Sequence, residues 1–312
     1  MNREELLRRM DLDVPEKAGI RVIIVSDIAN EADDPFAVVH QLLSPSFKVC
    51  GIIAAHFEQK AEGKGCAMEQ SVQSLVQLME AAQIDDVPLL RGCALPLRSV
   101  TEAPDSEGVR FMIREALRND TAPLYVTVQG ALTDVAAAIN RCPEIAKRMT
   151  VVWIGGGPYP DGMAEFNLKQ DVLAARAVFQ MPVELWQIPL NVYSQMEVTL
   201  AEIAARVRVC GPLGRYLYKV LASCNVRDCS ASSLLRKGEN WCLGDQPVAG
   251  VLLQCALRGN YHTESAPTIL DDMTYGSRQG ERKIRVYDSV DPRMILEDFY
   301  AKLALYHTSD LS

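Results

Sequence analysis

Five short runs rich in β-branched residues, "RVIIVS" (21–26), "FKVCGIIAA" (47–55), "PLYVTVQG" (123–130), "MTVVWIGGG" (149–157) and "VELWQIPL" (183–190), are each closed by polar, Gly or Pro residues. Runs of this kind read as strands buried on both faces, because a strand with one wet face alternates apolar and polar residues. Between them lie segments of helical period, "DDPFAVVHQLL", "AMEQSVQSLVQLMEAAQI", "ALTDVAAAINRCPEIAKRM" and "DVLAARAVFQM". Strand and helix in alternation predict an α/β fold, a mostly parallel open sheet flanked by helices. From Thr199 to Leu257 the pattern turns helical, and a further strand, "KIRVYDSV", precedes a last helix, "PRMILEDFYAKLALY". The C-terminal portion is therefore expected to be largely helical. Without a Pro- or Ser-rich linker, a repeat or a low-complexity tract, residues 1–312 read as a single domain.

An open parallel sheet binds its ligand outside the carboxyl ends of its strands, where loops converge and helix N-termini point. That rule directs attention to 27–34, 56–58, 129–134, 155–167 and Asn191. The formal charge of −8 disfavours a nucleic-acid polymer as partner and favours a cation or a neutral small molecule. No stretch approaches the roughly 20 apolar residues of a membrane span, and the charged start lacks an apolar signal region. Nine cysteines without a C-x-x-C pair fit reduced, mostly buried thiols and a cytoplasmic protein.

The stretch "VIIVSDIANEADDPFAVVHQLL" (22–43) places Asp27, Glu31, Asp33 and Asp34 where the first strand ends. One Asp in a first helical turn needs no functional explanation, since it caps the helix and meets its dipole. Four acids in one crevice repel and lose hydration unless a cation or shared protons relieve them. Oxygen ligands without His or Cys pairs suit Ca²⁺ or Mg²⁺ rather than Zn²⁺. A capped, solvated loop is the bland alternative. Two distant segments weigh against it: "GDQP", with Asp245 before an apolar helix, and "MAEFNLKQD", with Glu165, Phe166 and Asn167 after a Gly-rich strand end.

Taken in order, "VSDIANEADD", "VPLLRGCALPL" (87–97), "QGALTD", "AEFN" and "GDQP" resemble the motifs of the nucleoside hydrolase family, whose opening motif is a strand followed by D-x-D-x-x-x-D-D. Anchoring the match on the strand puts Asp27 on the second Asp of D-x-D and leaves two extra residues in the loop. Anchoring it on Asp33 and Asp34 would put Ala29 on a metal-binding position. Strand ends are fixed by the sheet and loops absorb insertions, so the first register is preferred. It resembles a divergent branch with a D-x-x-N-E-x-D-D opening, in which Asn30 and Glu31 face the site.

The resemblance implies a Ca²⁺ held by Asp27, Asp34, Asp245 and the backbone carbonyl of Gln129, with Asp27 as general base. It also implies ribose hydroxyl contacts from Asp33 and Asn167 and a contact from Glu165 to the 5′ side of the sugar, with His56 or Glu58 where the family has another ribose-contacting Asn. The implied reaction is hydrolysis of a nucleoside to base and ribose in a homodimer or homotetramer. Charge develops on the ribosyl ring as water approaches, and a carboxylate-rich pocket stabilises it. The family's usual His before the distal Asp is Gly244 here, and with Glu31 in the loop this points to a modified or unusual nucleoside. Trp241, His262, Tyr159 and Tyr193 are the candidates for stacking on the leaving base or protonating it. A haloacid-dehalogenase-like phosphatase needs a second acid at Ala29 and leaves "AEFN" and "GDQP" unexplained. A non-catalytic, Ca²⁺-dependent ribose- or sugar-binding protein on the same fold is the alternative from a different class.

Overall fold

The computed structural model describes residues 2–230, 238–258, 260–278 and 280–310. In chain order the strands are β1 (Ile20–Ser26), β2 (Phe47–Ala54), β3 (Leu89–Arg91), β4 (Leu124–Gln129), β5 (Thr150–Ile154), β6 (Glu184–Ile188), β7 (Glu197–Thr199), β8 (Asn240–Cys242), β9 (Tyr261–Ser265) and β10 (Lys283–Tyr287). The helices are α1 (Arg3–Arg9), α2 (Asp34–Leu42), α3 (Ala67–Ala81), α4 (Glu107–Leu117), α5 (Thr133–Arg141), α6 (Phe166–Gln170), α7 (Val172–Gln180), α8 (Leu190–Tyr193), α9 (Leu200–Arg206), α10 (Gly211–Asp228), α11 (Pro247–Leu253) and α12 (Pro292–Asp310).

Eight strands form one sheet in the order β3-β2-β1-β4-β5-β6-β10-β9, parallel except for β9. Strand β1 shows why its sequence is apolar throughout. Val22 and Ile24 enter the core shared with α2, α11 and α12, whereas Ile23 and Val25 enter the core shared with α4, α5 and α7. Successive side chains point to opposite faces, so a strand covered on both sides has no polar position to offer. From β1 the chain moves outward through β2 and β3, then returns to β4 on the other side of β1. The order thus reverses between β1 and β4, where Ser26 lies opposite Gln129, and a crevice opens at such a reversal.

Several expectations change in detail. The segment 131–149 is not one helix: α5 ends at Arg141 and a 3₁₀ turn, Pro143–Lys147, follows. Pro143 lacks the N–H that an α-helix needs there and pushes Cys142 into an extended backbone, φ −143° and ψ 79°. The C-terminal portion also carries a two-stranded antiparallel sheet, β7 with β8, too short and polar to stand out as strands. All nine cysteines are free thiols, but Cys93, Cys210 and Cys224 are buried while Cys255 is exposed and the other five are half-buried; the expectation of mostly buried thiols does not hold. Among the described residues no helix is long and apolar enough to cross a membrane.

Candidate active site

Strand β1 ends at Ser26, and the next residues turn away from the sheet with Asn30 N–H donating to the Asp27 carbonyl at 2.8 Å. Asp33 stands at the N-cap of α2 yet makes no side-chain cap bond, and its backbone is already helical. At the start of α11 the cap residue is Gln246, likewise without a side-chain cap bond. Capping therefore does not account for the carboxylates of Asp33 and Asp245. Instead, oxygens of Asp33, Asp34 and Asp245 lie within 4.8 Å of one another. Ser26 Oγ donates to Asp34 Oδ1 at 2.5 Å.

Asp27 faces the same crevice, 1% exposed. Neither oxygen of its carboxylate has a hydrogen-bond partner among the described residues. A side chain at position 130 would be pushed against it, since a Cβ on Gly130 would come within 3.0 Å of Asp27 Cγ. Burial, then the charges of Asp34, Asp33 and Glu31, holds the Asp27 carboxyl well above the usual range. Burial lifts Asp34 to about 7 against the opposing pull of the Ser26 hydrogen bond and the neighbouring Asp245 carboxyl. Burial and the neighbouring Asp33, Asp34 and Asp27 raise Asp245 as well. A buried carboxylate without donors, lining one crevice with Asp33, Asp34 and Asp245, is costly unless a positive charge is shared among them. This all-oxygen set fits a hard divalent cation.

Gln129 closes the floor. Its side chain accepts from Gln41 Nε2 at 2.9 Å and donates to the Asp34 carbonyl at 3.4 Å, which fixes the end of β4 against the start of α2.

The opposite wall comes from the β5–α6 connection. Glu165 caps α6: its Oε2 accepts from Leu168 N–H and Gly156 N–H, both at 2.9 Å, and its Oε1 from the Tyr193 hydroxyl at 2.8 Å. Gly156 reaches it with φ +80°, and a Cβ there would meet Gln187 Nε2 and Tyr275 Oη at 2.4 Å, so only glycine fits. Burial raises the Glu165 carboxyl while these donors pull it down. Asn167 Nδ2 donates to the Ile154 carbonyl at 3.0 Å. At the mouth, Lys60 Nζ donates to the Asn30 carbonyl and Oδ1 at 2.8 and 2.7 Å and lies 5.7 Å from the centre of the Phe166 ring.

The cleft brings together Asp27, Asn30, Glu31, Asp33 and Asp34 after β1 and Gln129 at the end of β4, on the two sides of the sheet reversal, with Glu165, Asn167 and Asp245 from other segments. His56 and Glu58 do not line it. His56 Nε2 pairs with Thr133 Oγ1 at 2.8 Å, and Glu58 accepts from Gly65 N–H and Ala67 N–H at 2.8 and 2.7 Å, fastening the turn before α3. Of the four aromatic candidates only Tyr193 reaches the cleft. Trp241 is fully buried, His262 pairs with Asp288 at 2.8 Å, and Tyr159 donates to Gln187 Oε1 at 3.1 Å. Ser26, Lys60, Ile154 and Cys242 escaped the sequence reading. Ser26 alone had a signal there, as the last residue of a buried strand before an acid.

A profile of the family described as inosine-uridine preferring nucleoside hydrolase matches residues 22–297. Among curated relatives, the pyrimidine-specific ribonucleoside hydrolase RihA of Salmonella paratyphi A is 23% identical over 223 residues, covering 64% of this chain and 70% of that protein. Among solved structures, the purine-preferring ribonucleoside hydrolase from Gardnerella vaginalis superposes with a TM-score of 0.73 at 18% identity, covering 92% and 99% of the two chains. The type III effector protein XopQ, solved in complex with adenosine diphosphate ribose, superposes with a TM-score of 0.65 at 17% identity, covering 99% and 98%. With the profile spanning the sheet from β1 to the start of α12, this chain belongs to the inosine-uridine preferring nucleoside hydrolase family.

Proposed function

We propose that this chain hydrolyses the N-glycosidic bond of a ribonucleoside, with Asp27 as general base and Ca²⁺ held by Asp27, Asp34, Asp245 and the Gln129 carbonyl. The observation that carries the reading is Asp27, a carboxylate at the β1–β4 reversal with both oxygens unpartnered and five further acids, Glu31, Asp33, Asp34, Glu165 and Asp245, at the same crevice. Such a group costs stability in the fold and is suited to accepting a proton. When bound, Ca²⁺ supplies a positive charge that offsets repulsion among the carboxylates and oxygen positions that gather hydroxyls and water.

Asp27 takes a proton from water as its oxygen bonds to the anomeric carbon. The bond from that carbon to the base nitrogen breaks, and its electron pair leaves with the base. Positive charge that develops on the ring faces Glu31, Asp33 and Glu165, and fixed carboxylates stabilise it without reorganising. Asp33 and Asn167 hold ribose hydroxyls, and Asn30 and Glu31, braced by Lys60, orient the substrate's rim. Residues 1–312 act as one unit on this reading, because eight of the strands, from β1 to β10, share one sheet. Glu31 and Gly244 favour a modified or unusual nucleoside over inosine or uridine.

The test is ribose release from a panel of natural and modified nucleosides and ADP-ribose, with Ca²⁺ and with chelator. Release that depends on Ca²⁺ and is lost in Asp27→Asn is expected. Ca²⁺-dependent binding of nucleoside with no release from any member would leave a sugar-binding protein and end the hydrolase reading.

A further inference from the structure

A second cavity shares no lining residue with the cleft of Asp27. Ile20, the first residue of β1, lines it, whereas Asp27 follows the last; at about 3.3 Å per strand residue the two sites stand roughly 20 Å apart. Val251 and Leu252, at the end of α11, line the cavity together with Tyr125, Trp186 and Tyr287 of the sheet. Its walls are thus aliphatic and aromatic.

Its charge runs against that of the chain. In a protein of formal charge −8 the cavity is lined by two arginines and no carboxylate. Arg258 is answered by Asp291, Nη1 to Oδ2 at 2.6 Å. Arg285 forms no ion pair among the described residues. Its guanidinium carbon instead lies 3.8 Å from the centre of the Trp186 ring and 4.0 Å from that of Tyr261, rings carried by β6 and β9, the strands on either side of β10. Trp186 is itself pinned, its Nε1 donating to Glu184 Oε1 at 2.9 Å. Stacking holds a guanidinium by its faces and leaves the N–H groups in its plane to find acceptors.

A second donor stands at the same cavity. Gln254 lines it, and its Nε2 is buried without a hydrogen-bond partner among the described residues. A buried N–H without an acceptor costs stability. The cavity therefore holds positive charge and an orphaned donor and is short of acceptors. An oxyanion brings acceptors and the opposite charge at once, and a guanidinium pairs with a carboxylate or phosphate through two parallel bonds.

We propose that this cavity is a second ligand site, which binds a small oxyanion, a carboxylate or phosphate carried on a flat apolar group, with Arg285 and Gln254 as its donors. It stands apart from the nucleoside reading, since no residue is common to the two sites.

Trp153 and Trp241 are fully buried, whereas Trp186 is half-buried, so a change of tryptophan emission on binding here is carried by Trp186. The probes are benzoate, phenyl phosphate and the neutral benzamide, titrated into the full chain with Ca²⁺ present and followed by emission and by calorimetry. At least one of the two anions should bind saturably, and benzamide at least about tenfold more weakly; the tighter anion identifies the head group. Arg285→Gln should weaken the anion about tenfold or more and benzamide less than about twofold. Gln254→Leu, which leaves the charge in place, should weaken the anion roughly fivefold. Thermal melts establish that each variant is folded, and if Arg285→Gln is not, Gln254→Leu decides. A lack of saturable binding by both anions, benzamide bound as tightly as benzoate, or anion affinity unchanged in the folded variants would overturn the proposal.

Discussion

Ser26 Oγ donates to Asp34 Oδ1 at 2.5 Å, so the last residue of the central strand fixes a carboxylate at the first turn of the next helix. The bond spans the loop that holds Asp27, Asn30, Glu31 and Asp33. It also favours the charged form of Asp34, against the burial that disfavours it. Outer partners of metal-ligating groups are commonly worth 10- to 100-fold in metal affinity. Ser26→Ala is accordingly expected to weaken Ca²⁺ binding by about tenfold, read by calorimetric titration. An unchanged affinity would mean that Asp34 does not contact the cation.

Asp27→Asn keeps the shape of the side chain and removes its ability to take a proton. Turnover is expected to fall by about 10²- to 10⁴-fold, the usual contribution of a positioned base, with nucleoside affinity changed far less. The chelated protein should at the same time become more stable, because a buried charge without donors is gone. A loss confined to KM would assign Asp27 to binding alone.

Cation binding should raise the melting temperature, since the folded chain gathers the acids and the unfolded chain scatters them. At a concentration 100 times the dissociation constant the gain is about 2.7 kcal/mol. Asp245→Asn is expected to shrink this response and, in chelator, to melt above the wild type by relieving repulsion from Asp33, Asp34 and Asp27. A melting temperature indifferent to Ca²⁺ in the wild type would leave the cluster a set of shared protons.

What the sequence disclosed and what it concealed differ for a physical reason. Strand β1 was readable because burial on both faces leaves no polar position, and Asp27, Asp34, Asp245 and Glu165 stood out as acids at strand or helix ends. Lys60, Ile154 and Cys242 gave no such signal. Ile154 and Cys242 reach the cleft, and Lys60 reaches its rim residue Asn30, through loop paths and strand order, and nothing in their neighbours along the chain reports on that. Strands β3 and β8, three residues each, are too short to show a period. His56 and Glu58 lie at a strand end as expected, but each side chain meets a stronger local claim on its hydrogen bonds, from Thr133 and from the turn before α3.

That local claim makes Glu58 separable from catalysis. Its two N–H partners, a buried one on Ala67 and a part-buried one on Gly65, lose their acceptor in Glu58→Ala, which should cost about 1 to 2 kcal/mol of stability. The kcat measured well below the melting temperature should be retained within about twofold, whereas a ribose contact would show as a raised KM. Chemical denaturation and steady-state kinetics on the same preparation separate the two.

Behind the cleft, His56 and Asp134 bias stability in opposite directions with pH. Thr133 Oγ1 donates to Asp171 Oδ2 at 2.8 Å, so it can only accept from His56 Nε2–H, and Glu58 N–H approaches His56 Nδ1 at 3.4 Å. Both contacts suit a neutral imidazole, and burial lowers its pKa to about 4 from an ordinary 6.5. Between those values the unfolded chain binds the proton and the folded chain does not, so this group's contribution to stability is lost as pH falls from about 6.5 to 4. Asp134, fully buried with Oδ2 unpartnered, is lifted by burial to about 6 from an ordinary 3.8. There the folded chain holds the extra proton, so its contribution is lost as pH rises from 3.8 to about 6. In the wild type the two nearly cancel across the window. Asp134→Asn removes the second, and its stability relative to wild type, both with Ca²⁺ present, should grow by about 3 kcal/mol from pH 4 to above 6. Denaturation at stepped pH reads the difference; a constant offset across the window would show that Asp134 is ionised throughout and that its orphaned oxygen has a partner in solution.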